Sequence, residues 1–265
     1  MDIPHDDRLT LFGIAYAGGS AAAIYGRWAR LLPAAIRVQP LELAGHGRRM
    51  NEAFPESIEA AVADLLKTVA PQAARGPYAL VGHSMGSTIV YELARALHAA
   101  GLPPPRALFL SGRQPPHLAY PQRNLYMLDD ETFLSEIRKL GGTPVDFFRM
   151  KDLVQAFLPI LRNDYRIIEQ YRFAAPVHVT PADIVVFRGD GDQLADHAGS
   201  MAWAGYTSGR FALHEFAGGH FFVNDHQEAI CRIVAAALLP RAGGERPGDA
   251  GTAWQGGGGE RLVMC

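Results

Sequence analysis

The sequence predicts an α/β fold, a mostly parallel, doubly wound sheet with a helical insertion, and three observations predict it. Short runs rich in β-branched and aromatic residues recur along the first 111 residues and again after residue 182. Helical periodicities fall between them. Runs such as Ile184–Phe187 are apolar at every position, as expected of strands covered by helices on both faces. Alternation of strand and helix makes βαβ units, whose product is a parallel sheet.

Taken in order, Leu9–Tyr16, Ile36–Leu43, Tyr78–Val81, Ala107–Ser111, Asp183–Arg188 and Phe211–Glu215 read as strands. Ser57–Val69 places Ile58, Ala61, Leu65 and Val69 at helical spacing, and Ser87–Ala99 does so with Val90, Leu93 and Leu97. From about 114 to 180 the strand rhythm stops. Two helices are expected there, Asp130–Leu140 and Asp152–Tyr171. In the second, Leu153, Phe157, Ile160, Leu161, Ile168 and Tyr171 fall mostly on one face, and Pro159 is expected to kink it. Residues 1–240 are read as a single domain. Glycine, proline and charge dominate 241–265, which is expected to be a disordered Gly-rich tail.

A chain of 265 residues can bury one large core. Its net charge of −2 provides no global basic field, which argues against nucleic acid as a partner. The two cysteines, Cys231 and Cys265, make no disulfide framework. The N-terminus lacks an apolar signal segment, and no apolar run approaches the roughly 20 residues of a membrane span. A cytoplasmic protein without membrane association is expected.

Gly82-His83-Ser84-Met85-Gly86 matches G-x-S-x-G. The bare pattern arises readily by chance, but here a strand run leads into it and a helical pattern leaves it. That is the context of a nucleophile elbow, in which a strained turn exposes a serine hydroxyl above an α/β-hydrolase sheet. Glycines at 82 and 86 allow strand and helix to approach closely. The helix N-terminus favours developing negative charge at Ser84. In this fold the base and its orienting acid follow in the order Ser, Asp/Glu, His. The 114–180 insertion therefore lies between nucleophile and acid, which favours a lid over a plain helical layer.

Of the late histidines, His220 follows the last strand run within Ala217-Gly218-Gly219-His220-Phe221-Phe222 and is the expected base. His214 lies inside the strand and reads as structural. The acid belongs in Arg188-Gly189-Asp190-Gly191-Asp192-Gln193, at the carboxyl end of a strand, where open α/β sheets build their sites. Asp190 and Asp192 both qualify, with the pattern leaning to Asp192. An oxyanion hole is expected from backbone N–H groups of Ala17, in Tyr16-Ala17-Gly18-Gly19-Ser20, and of Met85, after the nucleophile. The G-x-G-x-x-G of a dinucleotide loop is missing after the first strand.

Together these pieces resemble the type II thioesterases that accompany non-ribosomal peptide synthetases and polyketide synthases. The matching segments run from LFGIAYAGGSAAAIYGRW (11–28) through LELAGHGRR (41–49), VGHSMGS (81–87), LGGTP (140–144) and LPILRNDYRIIEQYR (158–172) to FRGDGD (187–192) and FAGGHFF (216–222). The resemblance implies a serine triad and hydrolysis of acyl groups from the phosphopantetheine arm of an acyl or peptidyl carrier protein. No metal or resident cofactor is implied, because the pantetheine arrives with the carrier. A monomer is expected. The family's G-x-x-D loop falls here on Gly189 to Asp192, which makes Asp192 the acid. Gln193 stands where the family often has proline, and Ala44 and His46 where proline and arginine are common. Phe133, Phe147, Phe148 and Phe157 are expected in an acyl pocket or the core. Arg48-Arg49, Arg138-Lys139 and Arg149/Lys151 are basic groups that could face an acidic carrier.

Overall fold

The computed structural model describes residues 8–118, 124–142, 147, 149–239 and, by backbone alone, 261–264. All six strand runs become strands: β1 (Leu9–Ile14), β2 (Ile36–Leu41), β3 (Tyr78–His83), β4 (Ala107–Ser111), β5 (Asp183–Gly189) and β6 (Phe211–Phe216). With β7 (Arg261–Met264) they form one sheet in the order β2-β1-β3-β4-β5-β6-β7. The first six strands are parallel, and β7 runs antiparallel to β6. The helices are α1 (Ala21–Tyr25), α2 (Trp28–Leu31), α3 (Ile58–Ala73), α4 (Met85–Ala99), α5 (Asp130–Leu140), α6 (Lys151–Gln170), α7 (His197–Met201) and α8 (Gln227–Leu238).

The continuous apolar runs are explained by two cores, one on each face of the sheet. Leu80, Leu108, Leu110, Ile184 and Val186 point to one side, where Ile58 and Leu65 of α3 and Ile89 and Leu93 of α4 cover them. Their neighbours Ala79, Val81, Phe109, Val185 and Phe187 point to the other, against Tyr25 of α1, Trp28 of α2 and Ile230 and Val234 of α8. Side chains alternate along each strand, so both alternating sets must be apolar.

The insertion between β4 and β5 holds α5 and α6 and has a small core of its own, Leu125, Phe133, Ile137 and Leu161. Helix α6 continues through Pro159. Its buried residues lie in the second half, Leu161, Asp164, Ile167, Ile168 and Glu169, while Leu153 is 51% exposed. The apolar face read from the sequence therefore overreaches at its N-terminal end. Of the expected tail, 241–260 and 265 lie outside the described residues. Arg261–Met264 departs from the expectation of disorder, because it supplies backbone pairing to the open edge of β6, with Glu215 opposite Arg261 and Ala212 opposite Met264. Among the described residues, no helix is long and apolar enough to cross a membrane.

His214 of β6 is buried beside Phe187, and burial pushes its imidazole down to about 4 from the usual 6.5. The unfolded chain then binds more protons than the folded one between those two values. Stability is full above pH 6.5 and falls as acid is added through the window, by about 3 kcal/mol at its lower end. Urea melts should show a lower midpoint at pH 4.5 than at pH 7, and His214→Gln should flatten that difference. An equal pH dependence in wild type and variant would remove His214 from the account.

Candidate active site

Ser84 ends the turn between β3 and α4 with φ 54° and ψ −118°, the strained backbone of a sharp strand-to-helix turn. The flanking glycines are required by space. A Cβ on Gly82 would collide with the Gly86 carbonyl and sit 2.8 Å from the Ser87 nitrogen. A Cβ on Gly86 would lie 2.5 Å from the Ile14 carbonyl oxygen and 2.7 Å from that of Ala15. The turn is pinned by Ser84 N–H donating to the Ser111 carbonyl at 2.7 Å. Ser87 Oγ lies 2.9 Å from both the Gly82 and the Ser111 carbonyl oxygens.

The loops after β5 and β6 meet beside this turn. A Cβ on Gly189 would lie 2.5 Å from the carbonyl oxygens of both Gly218 and Gly219, so only glycine permits the approach. The structure separates the two aspartates that the loop pattern left open. Asp190 is exposed, and its Oδ1 accepts from Gly218 N–H at 2.9 Å, fixing the loop that carries His220. Asp192 is 3% exposed; its Oδ1 accepts from Leu194 N–H at 2.9 Å and its Oδ2 lies 2.9 Å from His220 Nδ1. A carboxylate only accepts, so Nδ1 carries the proton and Nε2 presents a lone pair. Nε2 lies 3.0 Å from Ser84 Oγ, within reach of its hydroxyl proton. The three residues thus form one hydrogen-bonded line.

His83, next to Ser84, packs its ring 4.9 Å from that of His220 and is hydrogen-bonded through Nδ1 to Ser111 Oγ at 2.8 Å. Burial, followed by the nearby His220, drives its imidazole well below the usual range, so it stays neutral. It adds no charge beside His220.

Ala17 and Met85 line a cleft of about 30 Å³ together with Ser84 and His220. Met85 opens α4, so its N–H has no partner within the helix. The insertion roofs this cleft with Leu140, Tyr165, Ile168 and Glu169. An adjoining cleft of about 240 Å³ follows Tyr16 to Ser20 and is walled by Ile137, Phe147, Phe157 and Phe221. Phe147 and Phe157 therefore border open space, Phe133 belongs to the insertion's core, and Phe148 lies outside the described residues. Of the basic groups, Arg49 is paired with Glu52 and Asp64, and Lys139 with Glu136.

Sequence reasoning missed two carboxylates that hold the loop after β1. Glu42 accepts from Ser20 Oγ and from the N–H groups of Ala21 and Ala22. Asp164, fully buried on α6, accepts from Gly18 N–H at 2.7 Å and contacts His46 Nε2 at 2.8 Å. One signal was visible: Leu161, Asp164 and Ile168 share a helix face by spacing, so a charge stands where the apolar stripe calls for a hydrophobe.

A thioesterase-domain family model matches residues 9–238. Linear gramicidin dehydrogenase LgrE of Brevibacillus parabrevis is 35% identical over 231 residues, 86% of this chain and 87% of that protein. The solved structure of ClbQ, from the colibactin non-ribosomal peptide and polyketide synthase pathway, is 39% identical with a TM-score of 0.83, covering 87% of this chain and 97% of that one. BorB, a type II thioesterase from the borrelidin biosynthetic cluster, is 34% identical with a TM-score of 0.78, covering 88% and 93%. With its α/β-hydrolase sheet, this chain belongs to the thioesterase-domain family, whose members hydrolyse thioesters, and groups within it with the type II thioesterases.

Proposed function

We propose that this enzyme releases aberrant or stalled acyl groups from the phosphopantetheine arm of carrier proteins in non-ribosomal peptide or polyketide biosynthesis, with Ser84 as nucleophile, His220 as base and Asp192 as the acid that orients it. The observation that carries the reading is the line Asp192–His220–Ser84, with contacts of 2.9 and 3.0 Å, at the floor of a cleft roofed by the insertion. Ser84 Oγ attacks the thioester carbonyl while its proton passes to His220 Nε2. The oxyanion is held by the N–H groups of Ala17 and Met85, each such donor being worth roughly 10²–10³ in kcat. Collapse breaks the C–S bond, and His220 returns the proton to the departing pantetheine thiol. Water, deprotonated by His220, then attacks the acyl-serine and frees the acid. Asp192 stays ionised and holds the ring in its Nδ1–H tautomer.

The reaction uses only these groups and water. The apolar walls of the larger cleft, Ile137, Phe147 and Phe157, suit the arm or its acyl chain. The dehydrogenase named in LgrE stays with that protein, because the loop after β1 here lacks the glycine pattern that cradles a dinucleotide. The reading includes a monomeric, cytoplasmic enzyme that meets its carrier in passing.

Single-turnover release of acetyl and longer acyl groups from a loaded carrier protein, compared with the matching acyl-CoA, tests the substrate. Wild type should prefer the carrier and Ser84→Ala should release nothing; equal rates on both donors would move the assignment to a general esterase. The two aspartates part company in the same assay. Asp192→Asn should lower kcat by roughly 10³–10⁴, through the wrong histidine tautomer. Asp190→Asn keeps an acceptor for Gly218 N–H and should cost less than about tenfold. The reverse order would exchange their roles.

A further inference from the structure

We infer that His46 and Asp164 act together as a positioning pair, an imidazolium–carboxylate tie through which helix α6 of the insertion sets the oxyanion loop. The inference rests on the reading of Ala17 as an oxyanion donor. His46 is 3% exposed and Asp164 is 0% exposed. His46 Nδ1 lies 3.1 Å from the Ala44 carbonyl oxygen and Nε2 lies 2.8 Å from Asp164 Oδ2. Both ring nitrogens face acceptors. A carbonyl cannot donate, and an ionised carboxylate, here also accepting from Gly18 N–H at Oδ2, only accepts. The ring that satisfies both contacts carries two N–H groups and is therefore cationic. It also supplies the counter-charge that a fully buried carboxylate needs, since Asp164 Oδ1 has no hydrogen-bond partner among the described residues.

The consequence falls on the residue next to Ala17. Gly18 is at φ +75°, and a Cβ there would lie 2.7 Å from Leu161 and Phe157, so the loop is packed against α6 as well as bonded to it. Glu42 holds the far end of the loop from the sheet side, whereas Asp164 holds its centre from the insertion. The direction of the Ala17 N–H then depends on where α6 sits, and α6 is held there by a charge on His46. The charged groups that bear on His46 are Asp164 and Glu42; the Arg49 guanidinium is taken up by Glu52 and Asp64. Burial opposes the charge, but the Asp164 hydrogen bond and charge, the Ala44 carbonyl and Glu42 together raise the imidazole above its usual 6.5. The tie is complete below pH 6.5 and is lost as the pH rises through the raised folded value.

The test uses the full chain. Nitrogen NMR of wild type, with His46 assigned by its loss in His46→Gln, reads the ring's protons; pH–rate profiles on an acyl carrier are taken for wild type, Ser84→Ala, His46→Gln, His46→Arg and Asp164→Asn. Both His46 nitrogens should be protonated at pH 6, and wild-type kcat should fall on the basic side as they titrate. His46→Gln and Asp164→Asn should lower kcat about tenfold or more, with KM within about threefold, and lose that limb. His46→Arg, a permanent cation, should recover kcat relative to His46→Gln and move the limb to higher pH. A neutral His46 ring at pH 6, or an unchanged kcat profile in His46→Gln while Ser84→Ala is inactive, overturns the tie and leaves the triad standing. Activity surviving in Ser84→Ala would instead overturn the parent reading. Should the variants fail to fold, His46 is assigned in wild type by through-bond correlation of its ring to its own backbone amide, and that spectrum with the basic limb decides.

Discussion

Ser84 is held at a positive φ that costs a non-glycine residue about 1–3 kcal/mol, and much of the site follows from how that conformation is enforced. Backbone from β1, β3 and β4 closes around it: the Ile14 and Ala15 carbonyls against Gly86, Gly82 against the first turn of α4, and the Ser111 carbonyl on Ser84 N–H. Neither glycine contact leaves room for a side chain. The two cores supply the force, because β3 and β4 lie in the middle of the sheet and are packed on both faces. The strained turn can relax only if the central strands part.

Everything else at the site is brought to that fixed point by loops leaving the same sheet edge. Parallel strands place all their carboxyl ends together, so the loops after β1, β3, β5 and β6 converge without any long excursion. Their final placement is by hydrogen bonds to backbone: Asp190 on Gly218, Glu42 on α1, Asp164 on Gly18. Each carboxylate meets N–H groups or a cation, which is what lets Glu42 be half-buried and Asp164 buried.

How much of this is legible in a sequence depends on how local its cause is. The six core strands, α5 and the elbow were legible because their signals lie within a few adjacent residues: continuous apolar runs, helical spacing, glycines flanking a serine. The loop after β5 was only half legible. Asp190 and Asp192 share the same chemistry two residues apart, and what separates them is which way the backbone aims each side chain, outward to Gly218 N–H or inward to His220. Helices α1, α2 and α7 were missed because four or five residues are too few to show a period. The apolar face that includes Leu153 is not buried at that end of the helix. The His46–Asp164 contact spans 118 positions, and nothing near His46 announces it. Only the aspartate betrays itself, as a charge in an apolar stripe.

The start of α4 shows how a local rule is given up where chemistry needs the group. Helices α1, α3, α5 and α7 begin with Ser20, Ser57, Asp129 and Asp196, each of whose side chains accepts from an N–H of the first turn. Helix α4 also begins with a serine, yet Ser84 makes no such cap, and its hydroxyl faces His220 instead. An uncapped start gives up about 1 kcal/mol of helix stability. It also leaves the Met85 N–H, at the start of α4 and beside the cleft, without a partner in the helix, with the positive end of the helix dipole behind it. The residue type that would normally neutralise that end has been turned away from it, and the start of α4 keeps its positive potential toward the cleft, which favours negative charge there.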